Sequence, residues 1–243
     1  MSRALLEICV DTPAGLEAAI RGGADRIELC SALDLGGLTP TPGLLLLARE
    51  APVPVYAMIR PRAGTFVFDA AEERAMAAEI AAVAAAGLAG VVLGANREND
   101  GALDEALLAR LLAGAGSLGR TLHRAFDLVP DPRAGLETAV RLGFERVLTS
   151  GGERRAADAL PLLADLVRAG EERVAVMPGS GVRPENAARI LRETGAREIH
   201  SSGRAPLPGP ADPRCVALGF ALEGASDTSE REVRRLREAV DGG

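Results

Sequence analysis

Four glycines in this 243-residue chain each stand between a helical stretch and a short β-rich run, and the segments that follow them align. The aligned segments begin at Gly23, Gly87, Gly143 and Gly195 and read GADRIEL, GLAGVVL, GFERVLT and GAREIHS. A glycine directly after an amphipathic helix is typical of a left-handed C-terminal cap. The repeat therefore predicts helices that alternate with strands, which is the pattern of a parallel sheet.

The alternation continues along the chain until eight strands are counted. Besides the four runs after the glycines, strands are predicted at 4–10, 53–59, 120–125 and 173–177. Helices are predicted near 13–22, 41–50, 70–86, 103–113, 132–142, 155–169 and 184–194. This number of units predicts an α/β protein, a single (β/α)8 TIM barrel with a parallel eight-stranded core. A doubly wound sheet is the alternative, but the nucleotide fingerprint expected after its first strand is absent.

The C-terminal part departs from the repeat. We predict a barrel over 1–203 and an extension over 204–243 that belongs to the same domain. Residues 203–228 are rich in Pro, Gly and small residues, which is typical of a loop or excursion. The spacing of Ser229 and Glu232 matches a capping box and predicts a final helix over 230–240. That helix would close the barrel or contact a partner subunit, so a homo-oligomer is left open.

Composition excludes several classes of function. A net charge of −6 disfavours nucleic acids and anionic membrane surfaces, because both attract basic patches. The chain has no Lys, so Schiff-base chemistry is excluded. With no signal peptide and no apolar run long enough for a spanning helix, we expect a cytoplasmic protein without membrane attachment.

The repeat also sorts the two faces of each strand. Ile27, Val91, Val147 and Ile199 follow the glycines by four residues, and such β-branched side chains suit packing against helices. The opposite face then points into the barrel. It carries an unusual set of ionisable side chains, which are Glu7, Glu28, Arg60, His123 and His200.

Buried charges must be paired or functional, because burial of an unpaired charge is costly. One interpretation is a buried ion-pair network that stabilises the barrel. The other is catalysis, because the only two His lie at strand ends, where barrel enzymes hold their reactive groups. We take Glu7, Glu28, His123 and His200 as the candidate catalytic residues.

Two further side chains near strand ends are candidate ligand-binding residues. Arg60 follows the third strand and would either clamp a carboxylate or phosphate or pair internally with Glu7 or Glu28. Asp127 follows His123 in a loop closed by Pro130. Asp127 would act as acid, base or ligand, or would cap the next helix.

Small residues follow the last three strands. Backbone N–H groups of glycine-rich loops beside a helix N-terminus often hold phosphate in barrels. Tight turns are the alternative explanation. The candidate anion-binding residues of these loops are Ser150, Gly151, Gly179, Gly181 and Ser201.

Two cysteines stand on neighbouring strands. Cys9 and Cys30 each lie two residues beyond a glutamate, so a matching register would bring the two thiols together. Two soft sulfurs would suit Cu(I), whereas the alternative is a pair of small buried hydrophobic side chains. Cys215 lies in the extension without an evident partner.

Six motifs together resemble the CutC copper homeostasis family over about residues 4–203. They are LEIC (6–9), GGADRIELC (22–30), GGLTP (36–40), MIRPR (58–62), HRAFD (123–127) and RVLTSG (146–151). The resemblance implies a cytoplasmic TIM barrel with a role in copper tolerance or trafficking. It also implies Cys9 and Cys30 as copper ligands.

The polar interior is richer than a two-thiol copper site requires. Whether the chain is an enzyme is therefore left open. The alternative to a Cu(I)-binding protein is a TIM-barrel enzyme that acts on a small anionic substrate, phosphorylated or sugar-like, through its Glu, His and Arg side chains. A binding barrel without chemistry is the third hypothesis.

Overall fold

The computed structural model of the chain describes residues 3–209, 212–221 and 223–242. Its strands are β1 (Leu5–Val10), β2 (Arg26–Leu29), β3 (Val55–Met58), β4 (Gly90–Leu93), β5 (Gly119–Leu122), β6 (Arg146–Thr149), β7 (Ala175–Pro178), β8 (Glu198–Ser201), β9 (Arg204–Pro206) and β10 (Ser226–Thr228). Its helices are α1 (Pro13–Gly22), α2 (Pro42–Ala48), α3 (Ala70–Ala86), α4 (Glu105–Gly114), α5 (Pro132–Arg141), α6 (Leu160–Gly170), α7 (Pro184–Thr194), α8 (Pro213–Ala217) and α9 (Glu230–Asp241).

The first eight strands form one parallel sheet with helices between them. Neighbouring strands follow chain order from β1 to β7, and β8 pairs with β1. Because β7 and β8 also lie side by side, the sheet curls into a nearly closed barrel. The predicted (β/α)8 TIM barrel is therefore confirmed.

The two strand faces divide as the repeat predicts. Ile27, Val91, Val147 and Ile199 belong to the large apolar layer between strands and helices. A smaller apolar cluster of Cys30, Tyr56, Met58 and Val92 fills part of the barrel interior. The rest of the interior holds the ionisable side chains that form the candidate site.

The glycines of the repeat adopt the left-handed conformation that the sequence predicts for them. Gly23, Gly87 and Gly195 end α1, α3 and α7 with φ of 92°, 75° and 73°. Gly143 lies just after α5 with φ of 75°. These left-handed conformations favour glycine over other residues.

The last helix completes the ring of helices around the sheet. Helix α9 packs between α7 and α1. It buries Val233, Leu236 and Val240 against the barrel. The N-cap is Ser229, but its side chain makes no capping hydrogen bond, so the predicted helix forms without the predicted capping box.

Two stretches differ from the predicted elements. The helix predicted over 155–169 begins as a 3-10 turn at Ala156–Asp158, and α6 starts at Leu160. Pro161 has no backbone N–H and would clash with the carbonyl four residues earlier in a continuous helix, so it is accommodated in the first turn of α6. The predicted excursion over 203–228 contains the antiparallel pair of β9 and β10 and the short helix α8. Residues 210, 211 and 222 of it lie outside the described residues.

Candidate functional site

The deepest layer of the site joins strands β8, β1 and β2. The register places Glu7 opposite His200 on one side and Arg26 on the other. Glu7 Oε1 accepts a hydrogen bond from His200 Nδ1 at 2.8 Å, and its other oxygen accepts one from the Arg26 guanidinium. Because both oxygens are used and the side chain is fully buried, Glu7 acts by holding its neighbours in place.

A buried ion network extends below this layer toward the N-terminal ends of the strands. Arg26 also contacts Glu198, which accepts a hydrogen bond from Arg146 Nε at 3.2 Å. Both guanidinium groups lie over the ring of Tyr56. The interior thus contains a buried ion-pair network, as one of the two interpretations predicts, and this network lies beneath the polar side chains nearer the C-terminal ends of the strands.

The charges of Glu7 and His200 reinforce each other. Burial raises the pKa of the Glu7 carboxyl, but Arg26 and His200 outweigh burial and lower that pKa to about 2. Burial likewise lowers the pKa of His200, but Cys9, Glu28 and Glu7 raise it well above its usual range. The negative charge of Glu7 thus favours the protonated form of His200, and a protonated His200 favours the carboxylate form of Glu7.

The next layer holds Cys9, Glu28 and the far edge of His200. One ligand atom from each of these residues lies within 4.8 Å of the other two. Because His200 Nδ1 contacts Glu7, Nε2 is the nitrogen available to this cluster, and it lies 3.9 Å from Glu28 Oε2. All three side chains are buried.

The two thiols do not lie at one level, because the matching register that would bring them together does not occur. The register pairs Cys9 with Glu28, so Cys30 lies two residues further along β2 than Cys9's partner. The stagger between parallel strands causes this shift. Cys30 Sγ instead contacts Glu28 Oε2 at 3.6 Å, which places a second sulfur beside the same carboxylate.

Burial sets the protonation of this cluster. It raises the pKa of Glu28 to about 7, with Glu7 adding to the rise and His200 opposing it. Burial also raises the pKa of the Cys9 thiol, and it raises that of Cys30 well above the ordinary value with help from Glu28. Glu28 Oε1 has no hydrogen-bond partner among the described residues.

Arg60 pairs with neither Glu7 nor Glu28, so the alternative of an internal ion pair with these residues is wrong, while the anion-clamp alternative stays a prediction. Its Nη1 donates to the carbonyls of Leu35 and Gly37 at 3.0 and 3.2 Å, and its Nη2 donates to that of Gly64 at 3.0 Å. The guanidinium therefore ties the loop after β2 to the loop after β3. It lies over the ring of Phe66, 4.8 Å from the centroid.

His123 begins a 3-10 turn directly after β5. Its Nδ1 accepts a hydrogen bond from the backbone N–H of Ala125 at 3.2 Å. Burial, with the nearby charge of Arg60, lowers the pKa of His123 to about 3. The ring is therefore neutral at physiological pH, and the proton resides on Nε2.

A cavity of about 290 Å³ opens at the C-terminal ends of the strands. Glu28, His200, Arg60 and His123 line it, whereas Glu7 lies beneath it. The remaining lining residues are Cys9, Leu33, Gly36, Met58, Phe66, Arg124, Leu148, Ser180, Ser202 and Arg204. The strand ends thus bring most of the predicted catalytic residues to one concave surface.

Asp127 organises a loop and does not cap the following helix, because Asp131 is the N-cap of α5. Its carboxylate accepts hydrogen bonds from Arg124 Nε, from the Thr149 hydroxyl and from the backbone N–H groups of Ser150 and Gly152. The Ser150 hydroxyl donates to the Glu153 carbonyl. Asp127 and Ser150 therefore hold the loop after β6.

The small residues after the last strands have partners within the protein. A Cβ on Gly151 would meet Ala159 at 2.6 Å, and one on Gly179 would meet Leu148 at 2.4 Å. Gly181 lies against the Arg155 side chain. The Ser201 hydroxyl donates to the carbonyl of Val182 at 2.9 Å. Close packing and turns explain these residues without a bound anion.

Two important residues were not singled out from the sequence. Arg26 is the cationic partner of Glu7, and its position two residues before Glu28 is the signal that could have placed it on the same inward face. Phe66 covers Arg60 and His123 from an irregular loop, with its ring centroid 4.8 Å from that of His123. In a chain with 2% aromatic residues, an aromatic four residues after the MIRPR motif is the signal that could have identified it.

Comparison with known proteins gives consistent matches. Residues 4–205 match the CutC family. A family protein CutC of Caulobacter vibrioides is 56% identical over 240 residues, which cover 98% of this chain and 97% of the relative. The human copper homeostasis protein cutC homolog is 47% identical over 201 residues, covering 82% of this chain and 73% of the relative.

A solved structure agrees with the fold. The crystal structure of a CutC protein from Streptococcus agalactiae superposes with a TM-score of 0.78 at 30% identity, and the match covers 82% of this chain and 98% of that one. Within the described residues, no helix is both long enough and apolar enough to cross a membrane.

Proposed function

The chain belongs to the CutC family, and from that premise we propose that it is a cytoplasmic copper homeostasis protein that binds Cu(I) as its cargo. The ligands are Cys9 and His200, with Cys30 as a second sulfur and Glu28 beside them. The observation that carries the proposal is the cluster in which the donor atoms of Cys9, Glu28 and His200 lie within 4.8 Å of one another.

The donor set fits Cu(I). Thiolate and imidazole are soft and intermediate donors that suit this ion, whereas a carboxylate suits it less. Cys30 supplies a second sulfur 3.6 Å from the Glu28 carboxylate. Because burial raises the pKa of both thiols, they are protonated in the free protein, and binding of the ion releases protons.

Glu7 supports this site from below. It accepts a hydrogen bond from the nitrogen of His200 that faces away from the cluster. In metal sites such a carboxylate fixes the ring orientation and increases the basicity of the coordinating nitrogen. Glu7 therefore orients the ring so that Nε2 faces the cluster, where a metal would displace the proton that the raised pKa of His200 retains.

A competition titration tests the proposal. Reduced protein is titrated with Cu(I) against a chromophoric Cu(I) chelator. We expect one tightly bound ion per chain in the unchanged protein. Affinity for Cu(I) should fall strongly in Cys9→Ser and in His200→Phe. It should fall by less in Cys30→Ser, because Cys30 lies two residues beyond the residue that pairs with Cys9.

Cys215→Ser is the matched control, because Cys215 lies in α8, outside the cluster. It should bind Cu(I) as the unchanged protein does. Retention of full Cu(I) affinity in the Cys9→Ser, Cys30→Ser double variant, with a preserved fold, would contradict the proposal.

A second candidate function is catalysis on a small anionic substrate, phosphorylated or sugar-like. The cavity favours it, because Glu28, Arg60 and His123 line the wall and each has a buried polar atom that finds no partner within the described part of the chain. A carboxyl group with a pKa of about 7, as Glu28 has, suits general acid–base catalysis. Arg60 would hold the anion and Glu28 would move a proton.

A thermal-shift screen followed by product analysis tests this second function. The metal-free protein is heated with a panel of sugar phosphates and carboxylates, and any stabilising compound is incubated with protein and followed by NMR. Turnover that disappears in Glu28→Gln supports the enzyme. A panel in which nothing is converted counts against it.

A further inference from the structure

The tautomer of His123 leaves one hydrogen-bond donor unused. Its Nδ1 edge faces the backbone N–H of Ala125 and the Cα of Gly94, whose added Cβ would come within 2.6 Å of Nδ1. The imidazole ring lines the cavity. Nε2 has no partner among the described residues, although the side chain is only 3% exposed.

Arg60 supplies an uncompensated positive charge to the same wall. Its hydrogen bonds go to three neutral backbone carbonyls, and Nε is buried without a partner among the described residues. Phe66 lies against both Arg60 and His123, with centroid distances of 4.8 Å to each group. The two unsatisfied groups therefore border one another across a single ring.

The other cations of the cavity wall are neutralised. Arg124 pairs with Asp127 at 2.7 Å, Arg204 pairs with Asp34 at 2.7 Å, and His200 pairs with Glu7 at 2.8 Å. Within the described part of the chain, Arg60 is thus the cavity cation that has no carboxylate partner. One free positive charge matches an anion that carries a single negative charge.

We propose that this cavity is a binding site for a small monocarboxylate with a carbonyl or hydroxyl oxygen next to the carboxylate. Arg60 faces the carboxylate, and His123 Nε2–H donates to the neutral oxygen. The inference rests on the cavity of the second candidate function and names its ligand class. The cavity wall is apolar at Leu33, Met58 and Leu148, and its one cation without a carboxylate partner suits a monoanionic 2-oxo or 2-hydroxy acid better than a phosphate dianion.

Calorimetric titration of the metal-free, reduced protein tests the inference with defined probes. Pyruvate and lactate carry both groups, propionate lacks the second oxygen, and lactamide lacks the charge. Glycerol phosphate represents the dianions. We expect pyruvate or lactate to bind at least about tenfold more tightly than propionate and lactamide, because each loses one interaction with a buried polar group.

Two substitutions separate the roles of the donor and of the fold. His123→Phe should reduce pyruvate binding to the level of propionate and leave propionate unchanged. His123→Gln keeps a donor and should retain part of the difference. The lactamide comparison tests the charge without changing Arg60, whose bonds to two loops make its replacement a risk to folding.

Each outcome decides the inference. It is overturned if glycerol phosphate binds more tightly than the carboxylates, if lactamide equals lactate, or if no carboxylate binds. The proposed catalysis is judged separately by NMR in D2O, through conversion or hydrogen exchange of the bound acid. Tight binding of a carboxylate without conversion supports the carboxylate site and contradicts the proposed catalysis. Conversion of a phosphorylated compound without carboxylate binding supports catalysis and contradicts the carboxylate site.

Discussion

His200 Nδ1 lies 2.8 Å from Glu7 Oε1, and both side chains are buried in the centre of the barrel. The contact joins β8 to β1, which are the last and first strands of the barrel and pair with each other in the sheet. Glu7 contacts Arg26 with its other oxygen. One carboxylate thus links a structural ion network below to the cluster of Cys9, Glu28 and His200 above.

Removal of the Glu7 charge should destabilise the protein and weaken the metal site. Loss of one member of a buried ion pair leaves Arg26 without full compensation, and such changes cost about 3 kcal/mol or more. Urea unfolding of Glu7→Gln should show this loss, and Cu(I) affinity should fall about tenfold or more because the ring of His200 is less well held.

Glu73→Gln serves as the comparison. Glu73 forms an ion pair with Arg110 at the protein surface, where solvent screens the charges. Its urea midpoint and Cu(I) affinity should match those of the unchanged protein. Equal midpoints for Glu7→Gln and Glu73→Gln would refute the role given to Glu7.

Stability should depend on the protonation of His123. Its pKa is about 3 in the folded state and near 6.5 in the unfolded state, so only the unfolded chain takes up the proton between these values. The contribution of His123 to the free energy of unfolding is complete above about pH 6.5 and declines as the pH falls toward 3. Unfolding free energies measured in urea from pH 7.5 to 4 should therefore decline more steeply than those of His123→Asn.

The difference between the two proteins isolates this residue. Glu7, whose pKa is lowered to about 2, adds a loss of stability below about pH 4.5 in both proteins. Its effect cancels in the comparison. Parallel curves for the unchanged protein and His123→Asn would show that His123 is not held neutral.

Helix α9 should contribute to the stability of the barrel, because it is the eighth helix of the ring around the sheet. Leu236 is fully buried between α9 and the barrel, so Leu236→Ala should cost about 2–5 kcal/mol in urea unfolding. Leu218→Ala is the control, because Leu218 is 69% exposed in the extension. If the two variants unfold at the same urea concentration, the extension is not part of the folded core.

Glycine at position 179 should be required for close packing inside the barrel. A Cβ there would come within 2.4 Å of Leu148 Cδ1 and 3.2 Å of His200 Cβ. We expect Gly179→Ala to lower the melting temperature and to weaken Cu(I) binding through displacement of His200. Gly114→Ala has open space and a helical position, so it should be neutral or slightly stabilising. A Gly179→Ala protein as stable as Gly114→Ala would exclude this explanation.

Much of the fold was predictable because it depends on local rules. Gly23, Gly87 and Gly195 adopt left-handed caps, and β-branched residues four positions later pack against the helices. Periodicity of two along each strand then placed Glu7, Glu28 and His200 in the interior. Each of these conclusions needs only the conformation of one segment at a time.

The site was less predictable because it depends on relations between segments. The register that pairs Cys9 with Glu28 follows from the stagger of neighbouring strands, which residue spacing does not encode. Arg60 donates hydrogen bonds to backbone carbonyls of two loops, and the pattern of side chains in the sequence does not predict such partners. The pairing of Glu7 with Arg26 likewise required the three-dimensional arrangement of β1 and β2.

The most direct test of the account is X-ray absorption spectroscopy at the copper edge on protein loaded with one equivalent of Cu(I). We predict sulfur together with nitrogen in the first coordination shell, with the nitrogen lost in His200→Phe and sulfur lost in Cys9→Ser. A spectrum that is unchanged by both substitutions, or one that shows only oxygen and nitrogen in the unchanged protein, would contradict a Cu(I) site at Cys9 and His200.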